Sequence, residues 1–315
     1  MIHRIGVLFG VEHTFPGALV DRINSSGVPG ISAEFVKIGG VQMAAPSGYR
    51  IIVDRVSHDI PFYRAFLKHA ALDGTVVINN PFWSGADDRF FDYALAAKLG
   101  VAIPPTVILP HKEHPPNTTA QSMRNLAYPI DWDEVFAHIG FPAILRPLRG
   151  GGRKDVSQVR DQREFFDAYD RSRDLCMILQ RAVNVAACFR CYVVGQQHVH
   201  IMPYDPWASP AERYLAPPAG DPALLARVER DALTLCRALG QDFHMVEFAV
   251  QDGVPYAIDL ADPVPDADVH VVGRKHFEWI VDAVADLAVR KALEPVRPPE
   301  LRWGAFLSGG TVAGA

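Results

Sequence analysis

Glu247 and Asp259 each interrupt an apolar run, Met245 to Val250 and Tyr256 to Leu260. A carboxylate among apolar neighbours is costly unless it is paired or binds a metal, and two of them on adjacent strands offer hard oxygen ligands to a divalent cation. The turn between the strands sets whether they meet. A three-residue loop at Asp252, Gly253 and Val254 puts Glu247 opposite Asp259, whereas a two-residue Asp252-Gly253 turn leaves them one residue out of step. The other reading is two carboxylates on the solvated face of a half-buried hairpin. Upstream, the segment Gly140 to Val156 delivers Arg146 at the end of a strand and then runs through Arg149, Gly150, Gly151, Gly152, Arg153 and Lys154. Successive glycines leave their peptide N–H groups unshielded, so such a loop can close over phosphates. The plainer alternative is a hairpin with a flexible tip and incidental basic residues. Arg190, in the middle of a third apolar strand, is either a guanidinium facing a phosphate or half of a structural ion pair.

Other pairs carry less. Cys188 and Cys191 have zinc or redox spacing, but residues three apart on a strand face opposite ways and no second pair completes a tetrahedral site. His198 with His200, and His111 with His114, lack a third ligand. No Gly-x-Ser-x-Gly elbow, Walker lysine loop or dinucleotide fingerprint occurs.

The elements that must position these residues follow from periodicity and punctuation. Ile5–Val11, Ile31–Ile38, Tyr49–Val56 and Gly74–Asn79 read as strands alternating with helices over Pro16–Ser25 and Pro61–Leu72, which implies a mostly parallel sheet. A helix over Phe90–Leu99, closed by Gly100, leads to a boundary near Leu109. Asp131 is placed to cap a helix that Gly140 closes. Strands follow at Pro142–Arg146, Val156–Val159 and Cys176–Gln180, with a helix at Asp161–Arg171. Two hairpins, Phe189–Val194 with His198–Met202 and Phe243–Val250 with Pro255–Leu260, flank a proline-rich stretch from Pro203 to Pro222 and a helix over Leu224–Leu239. Lys275–Ala292 closes the chain as a helix.

The chain has 315 residues with 31 Lys+Arg against 36 Asp+Glu, a net charge of −5, which excludes a basic nucleic-acid footprint. With 49% hydrophobic and 21% charged residues it reads as globular rather than disordered. Four irregularly spaced cysteines point to a reducing, cytoplasmic compartment rather than a secreted disulfide framework. No membrane span and no signal peptide are expected, since charged residues break every apolar stretch before 18 residues.

In this order the pieces resemble the ATP-grasp superfamily, particularly its carboxylate–amine ligases of the ribosomal-modification, glutathione synthetase and D-alanine–D-alanine ligase type. The resemblance covers about residues 50 to 266. It rests on Val77 to Pro81, Asp88-Arg89, Gly100 to Thr106, Phe141 to Pro147 with the glycine loop, Leu179-Gln180, Phe189-Arg190 with Val193 to Gly195, Val246 to Phe248, and Ala257 to Asp259. It implies an α/β fold with a parallel-sheet pre-ATP-grasp domain over 1–109. Two α+β subdomains, over 110–183 with the glycine loop and over 184–315 with the metal carboxylates, would enclose the nucleotide. It further implies ATP and Mg²⁺, with Mn²⁺ as an alternative, as cofactors. Arg89, Arg146, Gly150, Gly151, Gly152 and Gln180 would bind the nucleotide, with Arg181, Ala182 and Val183 as the adenine hinge. Glu247, Asp259 and Asp262 would bind metal, and Arg190 would be catalytic, stabilising an acyl phosphate. Arg55 matches a substrate contact of the first domain, and His200, Tyr204, Arg213 and Tyr214 flank the loop where substrate would lie. Small-molecule or peptide carboxylates and amines would be the partners, with neither nucleic acid nor membrane, and self-association as a homo-oligomer is common among such ligases.

Four positions depart from the family pattern. Arg89 and Arg146 stand where lysines are usual, Ala261 stands where an asparagine is usual, and Asn184 to Ala187 lacks an acid for the ribose. Asp262 faces away from the other carboxylates unless a bulge turns it. These departures support an alternative, a catalytically decayed relative that binds a nucleotide or a partner.

Overall fold

The structure is a computed structural model that describes residues 2–43, 45–83, 88–150, 155–209, 212–214, 221–262 and 264–295. Gly151 and Gly152, two of the expected phosphate-loop residues, lie outside these. The N-terminal sheet is built from β1 (His3–Phe9), α1 (Phe15–Ser25), β2 (Ile31–Phe35), β3 (Ile51–Arg55), α2 (Pro61–Leu72) and β4 (Val76–Ile78). Its order is β2-β1-β3-β4 and every pairing is parallel, as the strand–helix alternation predicts. All five residues of β3 are buried, which is why the strand reads as a continuous rather than an alternating apolar run. Both helices carry proline in their first turn, where a missing N–H costs nothing.

A second sheet comes from α3 (Arg89–Lys98), β5 (Thr106–Leu109), α4 (Trp132–Ile139), β6 (Ala143–Pro147), β7 (Ser157–Val159), α5 (Gln162–Arg171) and β8 (Met177–Arg181). It is antiparallel in the order β5-β8-β6-β7. Asp131 caps α4 by accepting from the Glu134 N–H at 2.9 Å, and Gly140 ends that helix at φ 70°, as the sequence predicts. Rings from α4 and α5 (Trp132, Phe136, Phe165 and Tyr169) fill the core beneath the sheet. β5 is a strand that the sequence reading leaves out, because it has four residues and follows Pro104-Pro105 directly.

The third sheet holds β9 (Ala187–Val194), β10 (His198–Pro203), β11 (Phe243–Gln251) and β12 (Val254–Asp262), in the order β10-β9-β11-β12, with α6 (Pro222–Ala238) between β10 and β11 in sequence. Phe189, Cys191 and Val193 on β9, and Val246, Phe248 and Val250 on β11, pack on Val228, Ala232 and Leu235 of α6. Alternation then leaves Arg190, Tyr192, Met245 and Glu247 for the opposite face. α7 (Val269–Val272) and α8 (Arg274–Leu293) complete the chain as described.

The chain divides into two compact units. One runs Met1–Phe82 and resumes at Phe277, so α8 belongs with the parallel sheet; the other is Trp83–His276 and holds both antiparallel sheets. Within the first unit Arg22 of α1 bridges to Glu278 at 2.8 Å and to Asp282, and Arg50 Nε donates to the Ala292 carbonyl at 3.3 Å. No described helix is long and apolar enough to cross a membrane.

Candidate active site

The face of the third sheet turned away from α6 carries the charged candidates in two cross-strand rows. One row reads Met202, Arg190, Glu247 and Asp259 across β10, β9, β11 and β12; the next reads His200, Tyr192, Met245 and Asp262. Arg190 is fixed on three sides: Nε donates to Glu247 Oε2 at 3.0 Å, Nη1 to the Tyr214 hydroxyl at 2.9 Å and Nη2 to the Tyr204 hydroxyl at 3.1 Å. Its guanidinium carbon lies 3.9 Å from the Tyr204 ring centroid, a cation–π contact. Burial pushes the Glu247 carboxyl up and Arg190 opposes that shift. For Arg190 itself burial favours loss of the proton, but Glu247 and the two tyrosines outweigh it and hold the group charged.

How Glu247 comes to face Asp259 corrects the sequence reading. The turn has two residues, Asp252 at φ 53° and Gly253 at φ 74°, the left-handed pair of a type I′ hairpin. By that turn alone Gln251 pairs with Val254 and Phe248 with Ala257, and Glu247 would meet Ile258. A β-bulge leaves Ile258 over and sets Glu247 against Asp259. Turn length therefore does not decide the matter; an extra residue in β12 does. A second irregularity pairs Met245 with Asp262, which returns Asp262 to the side of the sheet that carries Glu247. Its Oδ1 accepts from the Val264 N–H at 3.1 Å, and among the described residues no group of three or more His, Cys, Asp or Glu is arranged to hold a metal.

Asp259 faces two arginines. Arg146 Nη2 lies 3.4 Å from Oδ2, and Arg89 Nη2 lies 3.9 Å from Oδ1. Burial alone would lower the Arg146 pKa, but Asp259 and Tyr93 raise it overall, so the guanidinium stays charged. Arg89, first residue of α3, also donates to the carbonyls of Pro147 at 3.0 Å and Gly150 at 3.2 Å, which ties that helix to the root of the glycine loop. Gly150 takes φ 99°, a conformation that glycine tolerates. The Nε atoms of Arg89 and Arg146 are buried without a hydrogen-bond partner among the described residues. Three guanidinium groups against two carboxylates leave the cluster one positive charge in excess, and two buried N–H donors are unspent. That donor set fits a phosphate chain, and the facing pair of carboxylates fits a hard cation beside it.

At the expected hinge, Gln180 is buried and its Nε2 donates to Thr106 Oγ1 at 2.8 Å. The Arg181 side chain donates to the carbonyls of Ile139 and His138, and its N–H and that of Ala182 reach Pro105 and Pro142. Val183 follows immediately, half-buried beyond the strand end.

Other candidates fall elsewhere. Arg55 ends β3 in the first unit, its side chain 1% exposed, with Nε donating to Glu12 at 2.9 Å. His200 Nε2 meets His276 Nδ1 at 2.8 Å. All four cysteines are free thiols, and burial pushes Cys188 and Cys236 up to about 12. Tyr93 of α3 was not anticipated. It is 2% exposed, and its hydroxyl donates to the Ile258 carbonyl at 2.7 Å; the one signal in the sequence is its place four residues after Arg89, on the same helix face.

Comparison with known proteins bears on the arrangement. No family model matches the chain. A curated D-alanine–D-alanine ligase from Synechococcus sp. (strain JA-2-3B'a(2-13)) is 30% identical over 124 residues, a segment that spans 36% of this chain and 38% of that ligase. Among solved structures, a D-alanine–D-alanine ligase from Bacillus anthracis complexed with ATP superposes with a TM-score of 0.66 at 16% identity, covering 92% of this chain and 97% of its own. A RimK domain protein ATP-grasp from Sphaerobacter thermophilus DSM 20745 gives 0.62 at 18% identity, covering 91% and 99%.

Proposed function

From a chain that has the α/β fold of the ATP-grasp superfamily, with a parallel N-terminal sheet and two antiparallel-sheet subdomains, we propose an ATP- and Mg²⁺-dependent ligase that joins a carboxylate to an amine through an acyl phosphate. The observation that carries this reading is the cluster of Arg89, Arg146 and Arg190 around Glu247 and Asp259, positive overall and with buried donors to spare. In this reading Arg89 and Arg146 hold the phosphate chain, with the glycines 150–152 closing over it and Arg181 to Val183 beside the base. Glu247 and Asp259 would hold the metal, which when bound would neutralise phosphate charge and align the transferred group, with Asp262 of the next row joining them only on rearrangement of its carboxylate. Arg190, immobilised by two tyrosine hydroxyls, presents a fixed positive charge where negative charge develops on the acyl group, at no cost of reorganisation. Small-molecule or peptide carboxylates and amines are the substrate classes, and the cytoplasm is the proposed compartment.

A specific observation favours a second reading. Each carboxylate already has a guanidinium partner, so the cluster is also self-sufficient as a structural network, as a non-catalytic nucleotide- or partner-binding relative would keep it. Thermal shift and calorimetry with ATP, with and without Mg²⁺, separate the ligase from a relative that binds only a partner, and Mg²⁺-dependent phosphate release on adding carboxylates and amines, lost in Glu247→Gln and Asp259→Asn, separates it from one that binds a nucleotide without turnover. A native-state ligand at a hundred times its Kd stabilises by about 2.7 kcal/mol. The ligase reading expects Mg²⁺-dependent ATP binding, retained in Arg146→Lys because charge is what holds the phosphate. No binding at millimolar nucleotide, or a loss in Arg146→Lys as large as in Arg146→Ala, supports the second reading.

A further inference from the structure

The hairpin of β11 and β12 contains a conflict that the site must resolve. Its two-residue turn directs Glu247 to Ile258, and extending that register would carry Asp259 to the α6 side and turn Leu260 out of the core. The bulge at Ile258 satisfies turn, core and carboxylates together, but a bulged residue has no strand partner opposite it. A buried carbonyl in that position needs donors from elsewhere. The Ile258 carbonyl has two: the Tyr93 hydroxyl at 2.7 Å and Arg146 Nη1 at 3.3 Å. One residue earlier, the Ala257 N–H donates to the Ala102 carbonyl at 2.9 Å, so the segment that begins with α3 grips β12 at the extra residue and at the residue before it.

We propose that Tyr93 is a positioning residue for the metal-binding carboxylates: with Arg146 it clamps the carbonyl of Ile258, secures the bulge, and so keeps Asp259 opposite Glu247. The proposal rests on the reading of Glu247 and Asp259 as metal ligands, and the clamp itself rests on geometry alone. Arg146 joins the two levels, since Nη1 holds the bulged carbonyl while Nη2 reaches Asp259. Burial pushes the Tyr93 phenol up to about 12, so it stays a donor throughout the working pH range. Because Arg89 occupies the same face of α3 one turn earlier and holds the carbonyls of Pro147 and Gly150, one helix sets both the carboxylates and the root of the phosphate loop.

The test is Tyr93→Phe in the full chain, which removes one oxygen. Backbone amide exchange by NMR is expected to speed up at least tenfold at Ile258 and Asp259 while β9 and β10 keep their protection. The Kd for ATP in the presence of Mg²⁺ is expected to rise about tenfold, with the Kd in its absence unchanged. Unaltered exchange at these amides, with only a lower unfolding midpoint, makes Tyr93 a core filler and overturns the proposal. Faster exchange with unaltered Mg²⁺ dependence in a protein that binds ATP overturns the positioning role. If the wild type binds no nucleotide, the ligase reading fails while exchange still judges the clamp. Should Tyr93→Phe not fold, the wild type decides: a cross-strand NOE from Glu247 to Asp259 supports the bulge, and one from Glu247 to Ile258 overturns it.

Discussion

His244 sits on β11 with 1% of its surface exposed, and burial lowers its pKa to about 4; burial and the neighbouring His276 lower His200 similarly, to about 4. Such groups are neutral when folded and titrate near 6.5 when unfolded, so between those values the unfolded chain binds more protons and stability rises with pH. The contribution is complete above about 6.5 and is lost as pH falls toward 4, worth about 3 kcal/mol for His244. Urea unfolding is expected to show about 2 kcal/mol of this loss between pH 7 and pH 5, and His244→Leu to remove about one proton from the slope. At this scale the sequence is readable where a charge interrupts an apolar run, as at Arg190, Glu247 and Asp259. It is silent at Tyr93, because a tyrosine among apolar helix residues looks like core until the carbonyl it serves is known. The forked use of Arg146 and Arg89 is equally hidden, since a guanidinium's several contacts come from parts of the chain far apart in sequence.

Elements transmit these residue effects. Asp88 caps α3 by accepting from the Phe91 N–H at 2.9 Å. Asp88→Ala is expected to cost about 1 kcal/mol of stability, and because α3 starts at Arg89 the fraying falls on the residue that holds Gly150. The expected signature is a lower urea midpoint together with weaker ATP binding, against a neutral outcome for Asp221→Ala on the nucleotide, since Asp221 caps α6, which carries none of the clustered side chains. Caps of this kind are local and were legible: Asp131 and Gly140 act where the sequence places them. Strands were legible as runs with boundaries off by a few residues, as when His3–Phe9 replaces Ile5–Val11. The bulge at Ile258 was not legible, because it is a compromise between a turn, a core face and two donors, Tyr93 on α3 and Arg146 on β6, and none of the three alone demands it.

At the scale of the molecule, the resemblance seen in scattered motifs corresponds to the fold, while the membership of α8 in the first unit came from no motif. α8 buries Ile280, Val284 and Leu287, among others, and contributes partners to Arg22 and Arg50. A chain ending at His276 is therefore expected to lose protease resistance in β1 to β4 while Trp83–His276 stays protected; equal protection of both would show that the parallel sheet stands without its last helix. The same arrangement has a consequence in time. On a ribosome adding roughly 5–20 residues per second, α8 emerges some tens of seconds or less after β4, once the whole intervening unit has been made. The unit encoded in the middle can finish first, while the one begun first waits with an apolar flank uncovered, which makes the interval of synthesis, rather than the finished protein, its period of greatest exposure to wrong contacts.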